Sequence, residues 1–244
     1  MAQPTTNELL PALFGHAEHP LAQQCAGVLD CSAPLRSFAW THRTKIRKKV
    51  RNATNSAITR DLRCDLAVAA LLAADRRHTL TYEPLAAANQ RGPDFLLPYK
   101  DHTPVYVEVS RIRPRVGAAR DPHERLAAAI VGKLAQLAND DANLLVLVND
   151  DESIAPAEIS AVVQRLRRKA EAKDDAYFAF RGLEGARAFQ HQIVRLSGVM
   201  LATPADGSQG LATLLGARRP LPPELARTVN AWDLVALLGA PDVS

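Results

Sequence analysis

Between residues 61 and 75 the apolar positions Leu62, Leu66, Ala69 and Ala73 recur every three or four residues, the spacing of one face of an α-helix. Val68, Ala70 and Leu71 fill the gaps, so this helix reads as largely buried. The period then changes. Thr79-Leu80-Thr81-Tyr82-Glu83 alternates, is rich in β-formers and stops at Pro84, the pattern of a strand. Ala86 to Gly92 reads as a loop, Asp94-Phe95-Leu96-Leu97 as a second short strand, and Lys100-Asp101-His102 as a polar turn. Pro104 to Ile112, carrying Val105, Val107 and Val109, is the clearest strand of the chain. From Pro122 to Leu137 a helix is expected, with Leu126, Ile130, Leu134 and Leu137 on one face and Asp121 as its N-cap. Asn143 to Val148 is a continuous apolar run, as in central strands covered on both faces.

Residues 58–150 therefore form an α/β core in the order helix, strand, strand, strand, helix, strand. Before it, Pro4, Pro11, Pro20 and Pro34 leave room only for short helices, and residues 1–57 read as a covering segment that contains a basic run. After it, residues 151–244 read as a C-terminal extension packed on the same domain. That extension holds a helix near 156–173, a stretch from Ala176 to Phe189 whose period decides neither way, a strand over Gln192–Leu201, and a tail punctuated by Pro and Gly.

Composition narrows the class. With 47% hydrophobic and 23% charged residues the chain has the balance of a folded protein and not of a disordered one. Aromatic residues are only 5%, which argues against broad stacking surfaces for single strands; Trp40 and Trp232 read as packing residues. Cys25, Cys31 and Cys64 fit no zinc-site spacing, so free thiols in a reducing compartment are expected. The N-terminus lacks the pattern of a signal peptide, and the longest apolar stretches, such as Leu66 to Ala74, are too short for a bilayer. A soluble cytoplasmic protein without a membrane partner is the expectation, with a homodimer left open. The net charge of +4 says little by itself, but its distribution says more. Arg43, Lys45, Arg47, Lys48, Lys49 and Arg51 crowd into ten residues without an acid. Such a run suits nucleic-acid phosphates and equally describes a solvated helix face.

The chemistry lies in the clearest strand. Alternation sends Glu108 and Ser110 to one face, and Val107, Val109 and Arg111 to the other. A carboxylate in so apolar a strand is costly without a cation or a metal beside it. Asp94 opens the neighbouring strand, and a hairpin through the polar turn would bring it towards Glu108. Two carboxylates and a strand carbonyl make a hard oxygen site suited to Mg²⁺ or Mn²⁺. Such an ion activates a water and neutralises charge on a phosphodiester.

Gly92-Pro93-Asp94 followed by Glu108-Val109-Ser110 resembles the signature of the PD-(D/E)XK nucleases. The element order likewise resembles the restriction-endonuclease-like αβββαβ core, a mixed sheet flanked by helices. The resemblance implies metal-dependent hydrolysis of phosphodiesters, usually in DNA, with Asp94, Glu108 and the Val109 carbonyl as ligands. It further implies that Glu83, or an acid of the preceding helix such as Asp65 or Asp61, adds to the site. One position departs from the family pattern: the lysine expected two residues after the second acid is Ser110 here. Arg111 aims at the wrong face. Lys133 lies at the edge of the apolar stripe of the next helix, a place where some members carry this lysine, and Gln136 follows one turn on. A stripe-edge lysine also commonly snorkels into water. Two rival expectations stand beside catalysis. One is a nuclease fold without turnover, acting as a nucleic-acid-binding or assembly module. The other is a structural role, with the acids paired to Arg111, Arg113 or Arg125.

Overall fold

The computed structural model describes residues 4–16, 19–53, 55–75, 78–85, 92–100, 103–113, 121–150 and 154–238. The chain divides after Tyr82 into two compact units. Residues 86–91 of the loop expected at 86–92, and the turn residues Asp101 and His102, lie outside the described residues.

The first unit carries α1 (Thr6–Phe14), α2 (Pro20–Cys31), α3 (Ala33–Thr41), α4 (Arg43–Asn52), α5 (Ser56–Ala73) and β1 (Thr81–Tyr82). Side-chain caps fix where several of these helices start. Thr5 and Glu8 form a capping box on α1, Ser32 accepts from the Leu35 N–H at the start of α3, and Asn55 accepts from the Ile58 N–H at the start of α5. In α4, Ile46 and Val50 turn inward. In α5, Leu62, Leu66, Ala69 and Ala73 are all buried, as their spacing requires.

The second unit carries β2 (Phe95–Tyr99), β3 (Thr103–Ile112), α6 (Pro122–Lys133), β4 (Ala142–Asn149), α7 (Ile159–Glu171), α8 (Asp175–Ala179), α9 (Ala186–Ile193), β5 (Leu196–Thr203), β6 (Ser208–Thr213), α10 (Pro223–Asn230) and α11 (Leu234–Leu238). The protein is α/β, with a six-strand mixed sheet in the order β1-β2-β3-β4-β5-β6 among the described residues and helices flanking it. Strand β3 pairs antiparallel with β2 and parallel with β4; β4 pairs parallel with β5, and β5 antiparallel with β6. Every residue of β4 and β5 is buried, which is why their sequences run apolar without alternation. On one sheet face, Leu145, Leu147, Val199 and Leu201 pack with Leu126 and Ile130 of α6, Val162 and Leu166 of α7, and Phe189 of α9.

Several elements differ from their expected extents. The first strand shrinks to two residues because Glu83 adopts a positive φ of 46° and turns the chain, donating its N–H to the Asp94 carbonyl at 2.7 Å. The helix from Pro122 ends at Lys133 and tightens into a 3-10 turn over Leu134–Gln136, a common way of satisfying the last carbonyls. The undecided stretch is helical, broken between α8 and α9. Gly185 there sits at φ 136°, and a Cβ on it would come within 2.7 Å of Asp175 Oδ1, the oxygen that accepts the Ala186 N–H. Gln192 and Ile193 belong to α9, so β5 starts later than the sequence suggests. Strand β6 is absent from the sequence reading because its half-exposed residues, Ser208-Gln209-Gly210-Leu211-Ala212-Thr213, have little β character.

Candidate functional site

The register of β2 against β3 places Phe95 opposite Val107. One step on, Asp94 stands opposite Glu108. The two prolines of this hairpin, Pro98 and Pro104, face each other, at a position where neither strand needs an N–H for its partner. Two steps of the same alternation bring Val109 to the hydrogen-bonding side, and its N–H donates to Asp94 Oδ2 at 2.9 Å. The Asp94 side chain thus does what a backbone carbonyl would have done one residue earlier. The carbonyl of a strand residue points to the same side as its N–H, so the Val109 oxygen also faces β2. Opposite it in the continued register is Pro93, which has no N–H to offer.

Glu108 is 2% exposed, the only carboxylate among the buried polar side chains of the described residues. Its neighbours explain the cost. In register with it on β4 is Leu145, Ser110 stands beside Leu147, and these leucines belong to the layer that α6 covers. The compensating charge comes from Lys133, the last residue of α6. Its Nζ lies 2.6 Å from Glu108 Oε1, with the lysine side chain 25% and the glutamate side chain 3% exposed. An ammonium at the rim therefore reaches down to a carboxylate in the apolar layer.

Arg111 points to the opposite face, as alternation demands. It pairs with Asp150 at 2.8 Å, with the two side chains 4% and 11% exposed. Glu108 therefore pairs with Lys133, and Arg111 is committed to Asp150; Arg125 donates to the Arg113 carbonyl. Asp150 was not singled out from sequence, although an acid closing a continuous apolar strand was a signal available there. Ser110 is half-buried on the Glu108 face, and Gln136 is half-buried in the turn after Lys133. Glu83 occupies the turn before Asp94, which its N–H joins to this region through the backbone.

Asp65 belongs to the first unit. It accepts Lys49 Nζ at 3.0 Å and the Tyr82 hydroxyl at 3.4 Å. Lys45 donates to the Tyr82 carbonyl at 2.7 Å, and Lys49 lies 4.8 Å over the Tyr82 ring. The basic run consequently splits by helical phase. Lys45 and Lys49 are half-buried, whereas Arg43, Arg47, Lys48 and Arg51 are exposed. Trp40 is 40% exposed, which corrects its reading as a packing residue; the Arg43 guanidinium lies 4.7 Å above its ring. The ring ends α3 at the surface and finds its cover in that cation.

Asp94 and Glu108, set opposite each other by the continued β2–β3 register, and the Val109 carbonyl would supply an all-oxygen donor set. Mg²⁺ is commonly held by one or two carboxylates while it keeps several waters, and this set fits it. Among the described residues no group of three or more His, Cys, Asp or Glu side chains gathers to hold a metal. No helix of the described residues is long and apolar enough to cross a membrane. Compared with known proteins, the chain matches no family model, no curated protein and no solved structure.

Proposed function

We propose that the second unit carries a metal-dependent nuclease-like site of the PD-(D/E)XK type, in a restriction-endonuclease-like arrangement, acting on phosphodiesters of DNA. The observation that carries this reading is one constellation: a buried Glu108 bonded to Lys133 Nζ at 2.6 Å, facing Asp94 across the β2–β3 register. The αβββαβ order of α5, β1, β2, β3, α6 and β4 agrees with it.

Asp94, Glu108 and the Val109 carbonyl would hold Mg²⁺ or Mn²⁺. When bound, the ion supplies a lowered pKa for an attacking water and charge neutralisation on the phosphodiester. Asp94 is oriented in advance by the Val109 N–H, so little freedom is lost when it binds a cation. Lys133 brings an ammonium to the Glu108 carboxylate from α6, where Ser110 on the strand cannot. Its role is to stabilise negative charge beside the acids, in a layer whose low polarity strengthens that interaction. The exposed Arg43, Arg47, Lys48 and Arg51 suit backbone phosphates, while Lys45 and Lys49 serve the first unit's own packing. Buried free thiols at Cys25 and Cys64 accord with a reducing, cytoplasmic setting.

Plasmid and single-stranded DNA are incubated with Mg²⁺ or Mn²⁺ and wild type, Asp94→Ala or Lys133→Ala. Metal-dependent cutting by wild type that both variants lose supports the site as drawn. Cutting that survives in Lys133→Ala removes the lysine from it. A second reading has its own support, because the Lys133 ammonium compensates the buried Glu108 charge. In that reading the protein binds nucleic acid and does not cut, and Asp94→Ala binds as wild type does.

A further inference from the structure

Towards the N-terminal end of α6, the second unit has a cleft of about 940 Å³ whose walls include Arg113, Asp121, Glu124, Arg125, Phe180 and Arg181. That volume falls within the range of ligand sites. Two elements lead into it from the acidic site. On α6, Arg125, Ala129 and Lys133 follow one another at four-residue steps and form one stripe; Ala129 lines the cleft and Lys133 reaches Glu108. On β3, Glu108, Ser110 and Ile112 share a face, and Ile112 also lines the cleft. From Lys133 to Arg125 is about 12 Å of helix at ~1.5 Å per residue. A strand lying on this face would cover that span in roughly three to four nucleotides at ~3.4 Å each.

The charge in the cleft is positive, and its acids are already engaged. Glu124 pairs with Arg165 at 2.5 Å and with Arg181, and accepts the Tyr177 hydroxyl at 2.8 Å. Asp121 pairs with Arg165 at 3.0 Å. Arg111, which also lines the cleft, pairs with Asp150. Leaving that pair aside, Arg113, Arg125, Arg165 and Arg181 outnumber Asp121 and Glu124 among the described residues here. Phe180 adds a second kind of surface. It is 75% exposed, so its ring contributes little to the core, and it stands beside an Arg181 guanidinium stacked 3.6 Å over Tyr177. Guanidinium groups and an open aromatic face together match a chain of phosphates and bases.

We propose that this cleft seats the nucleic-acid strand flanking the scissile bond, with phosphates at Arg113 and Arg125 and a base against Phe180. The identity of the ligand rests on the phosphodiester reading above. The cleft is tested without metal, so that binding and cutting are read separately. Full-length wild type, Phe180→Ala and Arg125→Gln are titrated into labelled oligo-dT in EDTA and followed by anisotropy, at several salt concentrations. Unchanged thermal melts establish that each variant is folded. The expected result is binding about tenfold weaker for Phe180→Ala. For Arg125→Gln the salt dependence should flatten by about one unit of slope. If both variants bind as wild type at every salt concentration, the proposal is overturned. If thymidine monophosphate competes as well as oligo-dT does per nucleotide, the cleft holds a mononucleotide and the strand proposal is also overturned. Wild type that never cuts DNA, yet loses binding in Phe180→Ala, would overturn the nuclease reading and leave the cleft standing. Cutting lost in Asp94→Ala, beside unaltered binding in both cleft variants, would do the reverse.

Discussion

Replacing Lys133 with methionine keeps the length and apolar stem of the side chain and removes only its ammonium. The Glu108 carboxylate, 3% exposed, then loses the cation that stands 2.6 Å away. Breaking a buried pair from one side costs several kcal/mol because the remaining charge stays in an apolar layer. The lysine end lies at the rim, so a value near the low end, about 3 kcal/mol, is expected. For a domain of this size that corresponds to roughly 6–12 °C in melting temperature. The converse change, Glu108→Gln, leaves an ammonium 25% exposed that can swing into water. It should cost only about 1 kcal/mol. The double variant should cost less than the sum of the two, since neither buried charge remains. Thermal and urea melts of all four proteins, with and without Mg²⁺ or Mn²⁺, provide the assay. A divalent ion held by Asp94 and Glu108 should raise the melting temperature of Lys133→Met more than that of wild type. A Glu108→Gln variant less stable than Lys133→Met would refute the burial argument. Stability unmoved by either ion in every variant would count against the metal site.

Other outcomes follow from neighbouring residues. Asp94→Ala removes the acceptor of the Val109 N–H and should cost about 1–2 kcal/mol in urea melts; Asp94→Asn, which keeps an oxygen there, should cost clearly less, and equal losses would contradict this role. The hydrogen bond from Arg165 is the main cause holding the Asp121 carboxyl below its usual range. A depressed carboxyl stabilises the fold above its unfolded value, near ~3.9, and that contribution disappears as pH falls through the folded value. Asp121→Asn should therefore be less stable than wild type at pH 7, with the gap narrowing as pH falls below the unfolded value; a gap of constant size down into acid would show another cause. Burial pushes the Cys25 thiol up to about 12, so iodoacetamide at pH 8 should leave it unmodified in native protein and label it in urea. Rapid labelling of the native protein would refute its burial.

Local patterning made much of this molecule legible. Period 3.6 over Leu62 to Ala73, period 2 around Glu108, and the unbroken run at Asn143–Val148 correspond to α5, β3 and β4. Each of these depends on side chains repeating along one element, so sequence alone determines it. Alternation also settled that Glu108 and Ser110 share a face and that Arg111 does not. What the sequence offered only as candidates was fixed by partners far apart in the chain. The carboxylate opposite Glu108 depends on the β2–β3 register, and the ammonium beside it on where α6 crosses β3, 25 residues on. The helical phase that withdraws Lys45 and Lys49 from the basic run was visible only once Tyr82 and Asp65 stood beside them. Trp40 looked like core because tryptophan is highly buried on average, yet it is 40% exposed. Strand β6 and the α8–α9 break had no clear period and owe their form to contacts with β5 and to the Asp175 side chain. Periodicity carries the information that one element needs to bury its own apolar face. Which charge meets which across two elements is fixed only when tertiary packing brings them within a few ångströms, where the cost of leaving either one unpaired becomes large.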